Sequence, residues 1–270
     1  MSVPSFHAIE VSVTGAVARL TLSRPDRLNA ISDAMVDEIT VAAAWFDSRP
    51  DVRVVVLSGA GRMFSAGADI EEFRERYAGT DRDLWAESVD GARRGEAMTD
   101  AVAGLAAVTV AAVHGSAVGG AVALLAACDL RVVSDDVQVR IPELAMGIPL
   151  AWGGIPRLVR ELGPAVTRDL LVTGRALGAT EAVQRGWASS AHPAGELPAA
   201  VADLAARIAG LPARGLRTAL TRITAVATGL PSDDNALALA DALADPDAMA
   251  AGRAYLAALD TRRSNLGTIR

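Results

Sequence analysis

The sequence predicts a mixed α/β fold followed by a helical C-terminal region, and three observations carry that expectation. Runs of β-branched residues alternate with helix-period segments over the first two thirds of the chain. Glycine-rich turns separate these segments. Strand-like runs stop near residue 195, and Ala- and Leu-rich segments of helical period follow. With 51% hydrophobic and 21% charged residues, a chain of 270 residues can bury a substantial core. The expected division is therefore an α/β core over 1–195 and a helical region over 196–270 used for assembly.

Taken in order, His7–Val13 and Val17–Leu22 flank Thr14-Gly15 and read as a hairpin. Ser32 is placed to cap a helix ending near Asp47, with Met35, Ile39, Ala42, Ala43 and Phe46 close to helical spacing. Val52–Ser58 reads as a buried strand entering the Gly59-Ala60-Gly61 loop. A second loop, Ser65-Ala66-Gly67-Ala68, opens into a helix near Asp69. A polar helix is expected over about Asp81–Leu105, then a strand over Val108–Val113 and a helix from Gly119-Gly120 through Ala127. Leu130–Ser134 and Val137–Ile141 read as short strands. Helices are expected over Asp169–Thr173, Thr180–Arg185 and most of Leu197–Asp260.

Composition removes several function classes. The net charge of −6 and pI near 5.1 argue against binding nucleic acid, which needs a basic face. All 26 basic residues are arginine, so neither a lysine Schiff base nor a phosphate loop with its lysine is available. His7, His114 and His192 show no ligand spacing, and no metal site is expected. The single Cys128 excludes an internal disulfide and fits a reducing compartment. Met1–Glu10 lack a basic segment leading into an apolar one, so a cytoplasmic protein is expected.

Residues 101–128 carry no charge, which is long enough to span a bilayer, and Gly115 and Gly119 have the spacing of a membrane-helix pairing motif. The run is rich in Ala and Gly, however, is interrupted by His114-Gly115-Ser116, and is flanked by Asp100 and Asp129. It reads as a buried strand, a glycine turn and a buried helix, and no membrane association is expected.

Two familiar motifs fail. Gly59-Ala60-Gly61-Arg62-Met63-Phe64 has phenylalanine where a dinucleotide fingerprint needs its third glycine. Ser116 has His114 two residues before it, where a nucleophile elbow needs glycine. What remains is a repeated device, with Ala68 and Gly120 each at the mouth of a helix. N–H groups at such positions are unpaired and favour negative charge, so two converging on one oxygen form an oxyanion hole. Tight turns that only let backbone pack closely are the alternative.

The chain resembles the crotonase (enoyl-CoA hydratase/isomerase) superfamily. The resemblance rests on Arg24-Pro25-Asp26-Arg27-Leu28-Asn29-Ala30, on Val55 through Ile70, on Val113-His114-Gly115-Ser116-Ala117-Val118-Gly119-Gly120, and on Cys128-Asp129-Leu130-Arg131. Pro142-Glu143-Leu144, Gly147-Ile148 and Gly153-Gly154 with Arg157-Leu158 follow in the same order. It implies a spiral of ββα repeats with a C-terminal helical trimerisation region, assembled as a homotrimer or dimer of trimers. It also implies a coenzyme A thioester as substrate, no separate cofactor, and a carbonyl held by the N–H groups of Ala68 and Gly120. By the same resemblance Ala66, Asp69 and Ile70 lie along the coenzyme A, and Arg24 and Arg27 meet its phosphates. Asp69 also suits a plain helix cap.

Hydratases of this family carry two glutamates. Glu143 stands at one position and Ala123 at the other, within an apolar Ala121-Val122-Ala123-Leu124 stretch. Glu143 read by itself also suits a first-turn carboxylate facing a helix dipole. With the resemblance it becomes a catalytic base. Syn hydration is easiest with two carboxylates, whereas moving a double bond from C3–C4 to C2–C3 needs one base and an oxyanion hole. The expected activity is therefore 3-enoyl-CoA isomerisation. The alternatives are 2-enoyl-CoA hydration and a non-catalytic acyl-CoA binding protein. A dienoyl isomerase is not expected, because Ala151, flanked by Trp152, stands where its additional aspartate belongs.

Overall fold

A computed structural model describes residues 3–72, 74, 84–230 and 235–267. The chain divides into two compact units at Ala209/Gly210. In the first, β1 (Ile9–Thr14) and β2 (Val17–Leu22) form the expected hairpin, with Ile9 opposite Leu22 and a turn through Gly15 at φ +59°. β2 then pairs in parallel with β3 (Val54–Gly59), β3 with β4 (Val108–Val113), β4 with β6 (Leu130–Ser134), and β6 with β9 (Ser190–His192). Val54, Val55, Val56 and Leu57 of β3 are all buried, as expected of a parallel strand covered on both faces.

A smaller sheet holds β5 (Ser116–Val118), β7 (Gln138–Arg140) and β8 (Leu177–Gly178), in the order β5-β7-β8. Isolated bridges Ser65↔Ala117 and Ile31↔Ala68 continue its pairing onto earlier segments. Each turn of chain thus places a strand in the large sheet, a shorter extended segment in the small one, and then a helical segment. β4, β5 and α3 (Gly120–Leu125) make one such repeat. β3, residues 65–68 and the helical turn from Ile70 make another. This is the ββα spiral that the family resemblance implied.

Ser32 caps α1 (Asp33–Asp47) as expected, its Oγ accepting from Met35 N at 3.2 Å. Of the expected polar helix, residues 81–83 lie outside the described residues, and the remainder forms α2 (Leu84–Ala103), which packs against α1. α3 ends at Leu125 rather than Ala127, because the Arg131 guanidinium captures the carbonyls of Leu125 at 2.9 Å and Cys128 at 2.8 Å. Arg131 is itself fixed by Glu161 at 3.1 Å and lies over the Trp187 ring. Cys128 is buried beside it, and burial pushes its thiol pKa up to about 12.

α4 (Gly154–Thr173) starts well before the helix expected at Asp169, and it breaks at Gly163, where φ is +76° and ψ 161°. Pro164 restarts the helix at a position where its missing N–H costs nothing. α5 (Ala179–Gln184) follows. α6 (Leu197–Ala209) packs on the large sheet through Leu197, Val201, Ala205 and Ile208, so the first unit ends one helix beyond the boundary at 195. The second unit holds α7 (Ala213–Ala227), α8 (Asn235–Leu243) and α9 (Pro246–Gly267), so the long helical stretch is four helices in all.

One buried side chain ties the loops together. Asn29 is fully buried at φ +53°, and its amide donates to the carbonyls of Ala60 at 2.7 Å, Met63 at 3.0 Å and Phe64 at 3.1 Å. Its Oδ1 accepts from Arg24 N at 3.0 Å. Asn29→Ala leaves these buried groups unpaired, and we expect it to lower stability by about 2–4 kcal/mol. Urea titration measures this, and an unchanged midpoint would contradict it.

Candidate functional site

Three backbone segments meet because glycine lets them. Gly67, at φ +88°, lies so close to the next repeat that a Cβ there would collide with Val118 O and stand 3.5 Å from Gly120 N. The Gly67–Ala68 peptide is therefore a neighbour of the Gly119–Gly120 peptide. Among the described residues, neither Ala68 N–H nor Gly120 N–H donates to an acceptor. Ile31 explains half of this, since it takes up Gly67 O and Asp69 N and leaves the Ala68 N–H facing the other way. Gly120 is the first residue of α3, where an N–H has no partner within its helix.

Gly119 brings in the carboxylate. Its N–H donates to Arg140 O at 2.9 Å, which ties the mouth of α3 to β7, two residues before Pro142-Glu143. Glu143 opens a 3-10 turn, Glu143–Met146, closed by Gly147 at φ +75°. It is not a first-turn residue of an α-helix, so the macrodipole reading has little to act on. A Cβ on Gly119 would collide with Glu143 Oε1 and sit 3.1 Å from its Cδ. Glu143 is buried, and Oε2 has no hydrogen-bond partner. Burial raises its pKa, and a hydrogen bond from its own N–H opposes the shift.

These groups open on a cleft of about 690 Å³. Ala66, Ala68, Asp69, Ile70, Gly120 and Glu143 all line it, so six of the expected site residues come together. Arg27 lines it too, exposed and in no ion pair among the described residues. Arg24 does not. Its Nη1 donates to Asp69 at 2.8 Å and to Ala30 O at 2.6 Å, which holds the loop beside the cleft. Asp69 also accepts from Glu71 N at 3.1 Å, as a helix cap does. Burial works against its ionisation, but the Arg24 and Glu71 hydrogen bonds outweigh that and hold its carboxyl below the usual range.

Ala123, where a second glutamate would stand, is fully buried, and it is not part of the cleft lining. Its Cβ stands where a side chain on Gly154 would come within 3.1 Å of it. Two cleft residues carried no motif signal. Glu72 accepts from Asp33 N at 2.8 Å, and burial raises its pKa. Trp152 lies against Gly120 and has φ +56°, which costs about 1–2 kcal/mol for a residue with a Cβ. The only hint of it in sequence is a large aromatic directly before Gly153-Gly154. Among the described residues no group of three His, Cys, Asp or Glu side chains could hold a metal ion, and no helix is long and apolar enough to cross a membrane.

The model of the enoyl-CoA hydratase/isomerase family matches residues 12–238. The chain belongs to that family. Within it, a probable enoyl-CoA hydratase of Mycobacterium bovis is 31% identical over 220 residues, covering 80% of each chain. A peroxisomal Delta(3,5)-Delta(2,4)-dienoyl-CoA isomerase of Arabidopsis thaliana is 31% identical, over 78% of this chain and 79% of its own. Among solved structures, an enoyl-CoA hydratase subunit I from Geobacillus kaustophilus is 34% identical with a TM-score of 0.75, over 83% of both chains. An enoyl-CoA hydratase/carnithine racemase from Magnetospirillum magneticum reaches a TM-score of 0.83 at 28% identity, over 94% of both. The crotonase fold and acyl-CoA chemistry of this family member stand on the family match and these likenesses.

Because burial raises the folded-state pKa of Glu143, the stability carried by its neutral form is full below the ordinary carboxylate range. That stability is lost as pH rises through the raised value. Glu143→Gln is neutral at every pH, so we expect it to melt above the unaltered protein at neutral pH, with the gap closing in acid. Calorimetric scans across pH read this directly. A gap independent of pH would be inconsistent with the buried carboxylate.

Proposed function

We propose that the protein moves the double bond of a 3-enoyl-CoA to the 2-position, with Glu143 as the single proton carrier. One observation supports this most. A buried carboxylate with an unpartnered oxygen stands against Gly119, next to two unpaired N–H groups, while position 123 is an alanine outside the cleft. The thioester oxygen accepts from Ala68 and Gly120 N–H. Glu143 takes a proton from C2, the electron pair of that C–H bond delocalises into the thioester, and a dienolate results. The same proton then goes to C4, leaving a C2–C3 double bond and a carboxylate ready to repeat. Each oxyanion donor is worth about 3–4 kcal/mol in such a step. Burial strengthens the base, bringing its pKa nearer the working pH.

Arg27, exposed at the cleft mouth, is the residue we assign to the phosphates of coenzyme A, with Ala66 and Ile70 along the pantetheine arm. Arg24 supports them through Asp69. No cofactor beyond the substrate's coenzyme A enters this reading. A cytoplasmic location and assembly as a homotrimer or dimer of trimers belong to it too. Support for assembly comes from the apolar residues that the second unit exposes on its own, among them Ile223, Val226, Leu237 and Leu239.

Hydration of 2-enoyl-CoA is the second reading, favoured by the hydratase names of several relatives. It asks one carboxylate, or a water held by backbone groups, to do the work of two. Conjugated-thioester absorbance separates the two readings. A rise with a trans-3-enoyl-CoA, reduced about 10²–10⁴-fold by Glu143→Gln, is expected. A fall with a trans-2-enoyl-CoA would establish hydration instead. Silence with both substrates, despite acyl-CoA binding, would make the protein a binder.

A further inference from the structure

The Trp152 side chain has no part in the proton transfer, yet its placement is specified several times over. Its backbone is left-handed at φ +56°, which a residue with a Cβ adopts only when its surroundings hold it there. Thr99 Oγ1 donates to Trp152 O at 2.9 Å, and Arg157 Nη1 donates to the same oxygen at 3.2 Å. Arg157 is itself buried and paired with Asp100. The ring then rests on two glycines. A Cβ on Gly95 of α2 would collide with the pyrrole edge, and one on Gly120 would lie 2.8 Å from Cε3 and 3.0 Å from Cη2. Any side chain at either position would move the indole.

Gly120 is also the residue whose free N–H faces the cleft. The indole therefore touches the Cα next to the group that receives a thioester oxygen, and it lines the same cleft with Gly91 and Ala92 of α2. A chain attached to a carbonyl at Gly120 meets this ring within its first few carbons. We propose that Trp152 is the wall of the acyl site and sets the chain length the protein accepts, favouring short acyl groups. The inference rests on the reading of the cleft as an acyl-CoA site, but not on which reaction occurs there.

The test is equilibrium binding of saturated butyryl-, octanoyl- and dodecanoyl-CoA to the unaltered protein, Trp152→Phe and Trp152→Gly, followed by calorimetry. Glycine takes the native backbone without strain, and phenylalanine keeps a smaller ring if the glycine variant melts early. The expected result is an affinity that stops rising beyond butyryl in the unaltered protein. In Trp152→Gly, dodecanoyl-CoA should bind about tenfold or more tighter than it binds the unaltered protein, with Trp152→Phe between them. The same dodecanoyl-to-butyryl ratio in all three proteins would overturn the wall while leaving the site intact. No binding of any acyl-CoA by the unaltered, folded protein would overturn the acyl-CoA reading and the wall with it.

Discussion

The site depends on two approaches closer than any added side chain permits, backbone against backbone at Gly67 and backbone against a carboxylate at Gly119. Gly67 lies against Val118 O, and Gly119 lies against the Glu143 carboxylate. Both have positive φ, so the absent Cβ is required by conformation as well as by space. Two consecutive turns of the spiral are brought together there. Neither unpaired N–H group would face the cleft beside the other if these contacts were loosened. The parallel sheet, the Asn29 hydrogen bonds and the Arg24–Asp69 pair all serve to hold the loops that make this contact.

Electrostatics at the site follows from how sparsely charge is distributed there. Burial shifts Glu143 upward with its own N–H opposing, whereas Asp69, also penalised by burial, is held below the ordinary range by its hydrogen bonds. Asp69 is held ionised by Arg24, and Glu72 is bonded to the start of α1. Carboxylates within one cleft thus divide into structural and chemically available groups. The division comes from whether hydrogen-bond donors occupy the carboxylate oxygens, not from residue type. An arginine within reach of Glu143 would fix its charge and remove the basicity that the proposed step needs.

The parts of the molecule visible in sequence are those governed by local rules. The Ser32 cap, the hairpin around Gly15 and the β-branched run of β3 each answer to a few neighbouring residues. The ordered glycine motifs revealed the family and the positions of Ala68, Gly120 and Glu143. What was not legible depends on distant partners. The short reach of α3 is decided by Arg131 capturing its last carbonyls from the next strand. The start of α4 and its break at Gly163 were hidden because the break divides a continuous helical pattern. The Arg24–Asp69 pair joins residues 45 apart in the chain, and the buried face of α6 has its partners in the sheet, so neither has a local signature.

Cys128 lies three residues beyond the end of α3, eight past the unpaired N–H of Gly120 and three before the arginine that closes the helix. Since its thiol is buried and its pKa is pushed to about 12, almost none of it is thiolate at neutral pH and none is within reach of a reagent. The chain therefore carries one silent alkylation site, just past the helix whose first N–H faces the cleft. Labelling there requires this region to open, so the labelling rate becomes a clock for local unfolding around α3, independent of any substrate.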